Sequence, residues 1–239
     1  MTQLFFSRAR LRRDVPAAAL WRELAPADDD RRMHASHRLV WTLFADAADR
    51  TRDFLWRESE PGTFYFLSQR PPEDRHNLFD VDAAKAFAPE LRAGDVLRFS
   101  LRANATIARR AEGNGAGRVR GKPSDVVMDA LYRVPKGRER AEARRDAIHS
   151  AGRSWLSARG ATNGFRLMDS DPSTAPAVSC VTGYRVVRLD HRGDAMRIGV
   201  IDFDGVLVVD DPVRLIESIG QGFGRAKAFG CGLMMIRRL

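Results

Sequence analysis

One succession of apolar patterns occurs twice along this chain: strand, helix, strand, strand, helix, strand. No other feature of the sequence narrows the fold as far. Residues 2–8 read as a strand ending in a basic loop, and residues 28–46 carry Met33, His37, Val40, Trp41 and Phe44 at helical spacing. Segments 52–56 and 63–67 form a hairpin around Glu60-Pro61-Gly62. Residues 81–87 fit a short helix, and Ala93-Gly94 announces a strand over 95–104.

The second occurrence is less clean. Glycines break the pattern over 112–117, and 118–122 fit either a short strand or a basic loop. Helical stretches follow at 125–132 and 139–157, interrupted by Pro135-Lys136-Gly137, and 165–168 reads as a strand. Longer strands at 178–189 and 196–209 flank a turn at 191–194. Asp211 is placed to cap a helix with Pro212 as its first residue and Val213, Ile216 and Ile219 as its buried stripe; a final strand covers 232–236.

Two successive βαββαβ units are the economical reading. They give an α+β chain of two tandem ferredoxin-like (RRM-like) domains, 1–108 and 109–239, each an antiparallel sheet with helices on one side. That fold hosts many unrelated activities, so function has to be argued from a site.

Composition indicates the class of partner. The 40 Lys+Arg against 31 Asp+Glu leave a net charge of +9, which biases the chain toward polyanions, chiefly nucleic acid. Most of the cations are Arg; only Lys85, Lys122, Lys136 and Lys227 are lysine. Cys180 and Cys231 form no CxxC pair and no disulfide framework, which fits a reducing cytoplasm. No apolar run approaches the ~20 residues of a membrane span, so no membrane partner is expected.

The segment Gly222-Phe223-Gly224-Arg225-Ala226-Lys227-Ala228-Phe229-Gly230-Cys231-Gly232 follows the last helix. It is no dinucleotide fingerprint, because it does not open a helix and has Lys227 where a third glycine belongs. It is no Walker loop either. A helix cap and tight turn would explain one glycine through positive φ. Five glycines from 220 to 232 with Arg225 and Lys227 suit a phosphate chain held by backbone amides and cations.

His34 and His37 lie three apart on one helix, where such side chains share a face. Imidazole accepts and donates protons near pH 7, so the pair fits RNA transesterification, in which a 2′-hydroxyl attacks its own phosphate. No metal or cofactor is needed. Spacing alone also allows packing at a helix surface. Zinc would require Cys180, Cys231 or scattered carboxylates as further ligands, and a two-histidine phosphoesterase would need a second motif like His34-Ala-Ser36.

Arg102, Arg109, Arg110, Arg118, Arg120 and Lys122 bracket the glycine-rich break and can clamp an RNA backbone. Arg138, Arg140, Arg144 and Arg145 are interleaved with acids and read as a solvated helix face. No aromatic string for base stacking on a sheet is present, so duplex or hairpin RNA is the expected ligand.

The sequence resembles the CasE-type CRISPR endoribonucleases of type I-E systems over essentially its full length. Gly222-x-Gly224-x-x-Lys227-Ala228-x-Gly230-x-Gly232-Leu233 looks like their C-terminal signature, and Phe99-Ser100-Leu101-Arg102-Ala103-Asn104 like their central strand. His37-Arg38, Arg52-Asp53-Phe54-Leu55-Trp56 and Asp204-Gly205-Val206-Leu207 complete the likeness. The resemblance implies metal-independent cleavage of CRISPR precursor RNA in the repeat stem-loop. It also implies retention of the product as a subunit of Cascade.

By the same resemblance His37 is the catalytic histidine, in the first domain, and Arg38 a holder of the scissile phosphate. A tyrosine often stands three residues earlier in this family; here it is His34. Proline is common where this chain has Arg225. Gly222, Gly224, Arg225 and Lys227 would sit against the RNA. A non-catalytic RNA-binding or scaffold subunit is the alternative expectation.

Overall fold

A computed structural model describes residues 3–14, 17–46, 49–110, 120–168, 180–191 and 194–239. The first part contains β1 (Phe5–Leu11), α1 (Ala17–Leu24), α2 (Asp29–Trp41), β2 (Phe54–Glu60), β3 (Thr63–Ser68), β4 (Phe79–Val81) and β5 (Lys85–Ala86). Then come β6 (Val96–Ala103), β7 (Thr106–Arg110), β8 (Arg120–Asp125), α3 (Val126–Ala130), α4 (Arg138–Thr162) and β9 (Phe165–Leu167). The chain closes with β10 (Val181–His191), β11 (Asp194–Val209), α5 (Pro212–Gln221), a 3-10 turn Lys227–Phe229, and β12 (Met234–Arg238).

Two antiparallel sheets result. The first runs β2-β3-β1-β4, with β5 also on β1, and the second runs β10-β11-β6-β12, with β9 on β11. Counted within each unit, both follow the strand order 2-3-1-4 of a ferredoxin-like domain, in agreement with the sequence reading. The hairpin expected around Glu60-Pro61-Gly62 is β2–β3, in register from Phe54↔Ser68 to Glu58↔Phe64 and shifted before Glu60↔Thr63.

Period-two burial explains the central strands. In β6 Leu97, Phe99, Leu101 and Ala103 are buried while the intervening residues are less covered. These join Leu207, Val209, Leu215 and Ile219 in one core; Phe44, Phe54, Trp56, Phe64 and Phe66 form the other.

Three expectations need correction. Residues 81–87 are not helical: β4 and β5 pair with β1, Asp82 N donates to Arg8 O and Phe87 N to Leu4 O. Pairing to a free sheet edge overrides local helix preference. The strand expected to complete the first unit, β6, is instead hydrogen-bonded between β11 and β12, so the 1–108 segment includes a strand of the second sheet. On α5 the inward residues are Leu215, Ser218 and Ile219, while Val213 is 56% exposed, because the core lies one step round the helix from the expected stripe. The Asp211 cap and Pro212 start are as expected, with the Asp211 carboxylate accepting from Arg214 N at 3.1 Å.

Helix α1 has no counterpart in the sequence reading. The glycine break at 112–117 lies outside the described residues, and the flanking β7 and β8 form a separate two-stranded ribbon that runs into α3. No helix among the described residues is long and apolar enough to cross a membrane.

Candidate active site

Helix α2 carries the two histidines and is fixed from both ends of the molecule. Its N-cap, Asp28, accepts from Arg31 N at 2.9 Å, and Asp29 and Asp30 favour the first turn electrostatically. Ser36 Oγ donates to Glu58 Oε2 of β2 at 3.2 Å, and Glu58 Oε1 accepts from Gly62 N at 2.9 Å. Burial pushes the Glu58 carboxyl upward, opposed by those two hydrogen bonds and by Arg32 and Arg102. On the other side Met33 packs with Val187, Leu189, Ile198, Val200 and Cys231 of the second unit. Arg188 N donates to Asp30 Oδ1 at 3.0 Å. The helix is therefore wedged between the two sheets.

The glycine segment comes to α2 from the second unit. Gly222, Gly224, Gly230 and Gly232 all have positive φ, and none has room for a side chain. A Cβ on Gly224 would lie 2.7 Å from Asn104 O, and one on Gly230 would lie 2.9 Å from the Trp56 ring. Several of the segment's amides are used inside the protein: Gly222 N donates to Ser218 O, Phe223 N to Gly232 O, Arg225 N to Asn104 O and Gly232 N to Arg102 O. The amides of Gly222, Phe223, Arg225 and Gly232 are therefore engaged within the protein and not free for the phosphate chain that the sequence suggests. These glycines serve a tightly folded turn.

That turn delivers one carbonyl. Ala228 O lies 2.7 Å from His37 Nδ1 and accepts from Trp56 Nε1 at 3.1 Å. A carbonyl only accepts, so Nδ1 carries the hydrogen and the lone pair of the neutral ring is on Nε2. The next residue, Phe229, packs its ring 5.0 Å from the His37 centroid and 5.9 Å from that of His34.

Half-buried, His37 has its pKa pushed below 6.5 chiefly by burial. The Ala228 hydrogen bond opposes this, and the charges of His34, Arg52 and Arg38 add to it. Lys227, whose Nζ donates to Gln221 O at 2.7 Å, is pushed down by burial and then by Arg52. The site thus gathers His34, His37 and Arg38 from α2, Lys227 and Phe229 from the glycine turn, and Arg52 from just before β2. A depression of about 410 Å³ between α1 and α2 is lined by His34, Arg38, Arg31, Arg22, Glu23 and Pro26.

Other candidates are placed elsewhere. Arg102 is committed within the protein: Nε donates to Asp202 Oδ1 at 2.7 Å and Nη1 to Glu58 O at 3.1 Å. It joins the sheets rather than standing free for a phosphate. Lys122 is exposed on the ribbon, and Arg225 is exposed beside its backbone bridge to Asn104. Arg109 and Arg110 lie on β7 and Arg120 on β8, with Arg110 in register with Arg120, while Arg118 lies outside the described residues. Arg138 pairs with Glu142 at 2.7 Å on an exposed helix face, as its spacing suggested.

Three contributors lie in motifs quoted from the sequence but carry no role there: Arg52, Phe229 and the Ala228 carbonyl. A backbone carbonyl has no sequence signature, and Phe229 has the look of a core residue. Among the described residues no three His, Cys, Asp or Glu side chains are grouped to hold a metal ion.

Comparison with known proteins bears on the whole chain. A family model described as "CRISPR associated protein" matches residues 4–238. The Cascade subunit CasE of Escherichia coli K12 is 26% identical over 214 residues, 87% of this chain and 94% of that protein. The CRISPR-associated endoribonuclease Cse3 of Thermus thermophilus is 27% identical over 214 residues, 84% of this chain and 87% of that protein. A structure of the CRISPR endoribonuclease Cse3 bound to a 19 nt RNA superposes with a TM-score of 0.65 at 24% identity, covering 98% of this chain and 99% of the other.

Proposed function

The chain belongs to the family of CRISPR-associated proteins, and from that premise we propose that it is an endoribonuclease that cuts CRISPR precursor RNA within the repeat stem-loop. It then holds the mature product as a subunit of Cascade. Support comes from relatives named as a Cascade subunit and as an endoribonuclease, each aligned over most of both chains.

The observation that carries the chemistry is the His37–Ala228 contact. With Nδ1 donating to the carbonyl, Nε2 is the ring atom left to work on a substrate, and a depressed pKa keeps it unprotonated near neutrality. His37 is therefore assigned as general base: Nε2 removes the proton of the ribose 2′-hydroxyl, whose oxygen attacks the adjacent phosphorus. The bond to the 5′-oxygen breaks, leaving a cyclic phosphate on one fragment and, once that oxygen is protonated, a hydroxyl on the other.

His34 shares the Phe229 ring with His37 and is the candidate for the second proton transfer. Arg38 and Lys227 would offset the extra negative charge on the pentacoordinate phosphate, with Arg52 beside them. The arginines of the β7–β8 ribbon with Lys122, and Arg225, supply phosphate contacts that hold the stem by charge and shape. Arg102 is assigned a structural role.

The test is cleavage of a cognate repeat hairpin in EDTA, with ribose or 2′-deoxyribose at the cut. Cutting of the ribose substrate alone is expected. Cutting of both, or a requirement for added divalent metal, overturns the mechanism; tight binding without cutting of either indicates a scaffold subunit.

A further inference from the structure

Tyr132 stands in solvent at 82% exposure, the most exposed large hydrophobic side chain among the described residues. The turn that carries it is not loose. Tyr132 N donates to Asp129 O at 3.2 Å, Val134 N to Leu131 O at 3.1 Å, and Arg140 Nε of α4 to Val134 O at 3.0 Å. Its neighbours point inward: Leu131 is buried and Val134 packs against the core of the second unit. A fixed backbone thus holds an aromatic ring outward, at no benefit to the core.

The surroundings combine exposed apolar and cationic side chains with Asp129 in the same turn. Met128, one helical turn earlier, and Ile107, on the adjoining ribbon, are 42% and 43% exposed. Exposed Arg133 and Lys136 share the turn with Tyr132, and Lys122 lies on β8, the strand that leads into α3. Cores of protein–protein interfaces are depleted of Lys. An aromatic platform interleaved with cations is the arrangement that holds single-stranded nucleic acid, since every base offers a π-face and every linkage a phosphate.

We infer that Tyr132, flanked by Arg133 and Lys136, stacks an unpaired nucleotide of the RNA next to its paired stem. This rests on the RNA-processing reading above. It adds a base contact outside the sheets, where the sequence offered no stacking motif.

The test uses the full chain and two RNAs: a repeat hairpin with its single-stranded flanks, and the same hairpin trimmed to the stem and loop. Tyr132→Ala should bind the flanked RNA about 5- to 150-fold more weakly, the range set by loss of one stacked base. It should bind the trimmed hairpin as the parent does, and Tyr132→Phe should retain affinity for both. With the parent protein, 2-aminopurine in a flank should be quenched on binding, independently of how any variant folds. Equal affinity of parent and Tyr132→Ala for the flanked RNA overturns the inference and leaves the ring for a protein contact. Equal weakening on both RNAs, or unquenched 2-aminopurine at every flank position, overturns it too. If the parent binds neither RNA, the RNA-processing reading falls and takes this one with it. If the parent cuts the trimmed hairpin while Tyr132→Ala is unchanged on the flanked RNA, only the platform falls.

Discussion

The ring of His37 and the backbone carbonyl of Ala228 meet at 2.7 Å although 191 positions separate them in the chain. The contact joins the two halves of the molecule at the reactive residue. It sets which ring nitrogen holds hydrogen, and with Phe229 against the ring it leaves little freedom of orientation. The same oxygen receives Trp56 Nε1, so a residue from the core of the first unit steadies the acceptor.

Replacing His37 by Ala should reduce single-turnover cleavage by about 100-fold or more, since general acid–base assistance is worth 10²–10⁴-fold. Affinity for repeat RNA should be retained, because phosphate contacts elsewhere dominate it. Single-turnover rates beside filter binding check both halves; undiminished cleavage by the variant in EDTA removes His37 from the mechanism.

The pH profile follows from burial. His37 titrates below 6.5, and as a base it acts in the unprotonated form. The value of kcat/KM, which reports the free enzyme, should therefore rise with pH through a point below 6.5 on the acid side of its profile. A profile that falls with rising pH through that point would assign the acid role to His37 instead.

Gly230→Ala separates geometry from RNA contact. The position has φ 74° and faces the Trp56 ring, so an added methyl group must displace the turn that presents Ala228 O. Displacements of this kind, up to about 1 Å, can cost about 10²-fold in rate. Cleavage should fall at least about 10-fold with little change in RNA affinity, and left-handed alanine should cost about 1–2 kcal/mol of stability. A loss of affinity matching the loss of rate would mean that the turn touches RNA directly.

Arg102 and Lys122 should part company. Arg102→Ala removes the bonds to Asp202 and Glu58 O and should destabilise by about 1.5–3 kcal/mol in urea melts, with the salt dependence of RNA binding unaltered. Lys122→Ala should keep the melting midpoint and lower the slope of log K against log salt by about 1. The reverse pattern would return Arg102 to the RNA surface.

Much of this protein was legible before any coordinates. The central strands and the helix of the histidines follow from apolar periodicity, because a strand or helix that buries one face must repeat its apolar residues at its own period, as β6 does with Leu97, Phe99, Leu101 and Ala103. His37 beside His34, and the glycine-rich tail, stood out because rare residue types at short spacing are visible in the chain itself. Strand membership was not legible. Edge pairing made strands of 79–81 and 85–86, and sheet partners placed β6 in the second unit; hydrogen bonds between distant segments leave no local signal. The role of the glycines was hidden for the same reason, since close approach to Asn104 O and the Trp56 ring is a property of the packed molecule. The sequence by itself determined the kinds of element and the imidazole. Only the tertiary structure decided which atom of that imidazole is free to act, because it alone brings Ala228 O to Nδ1.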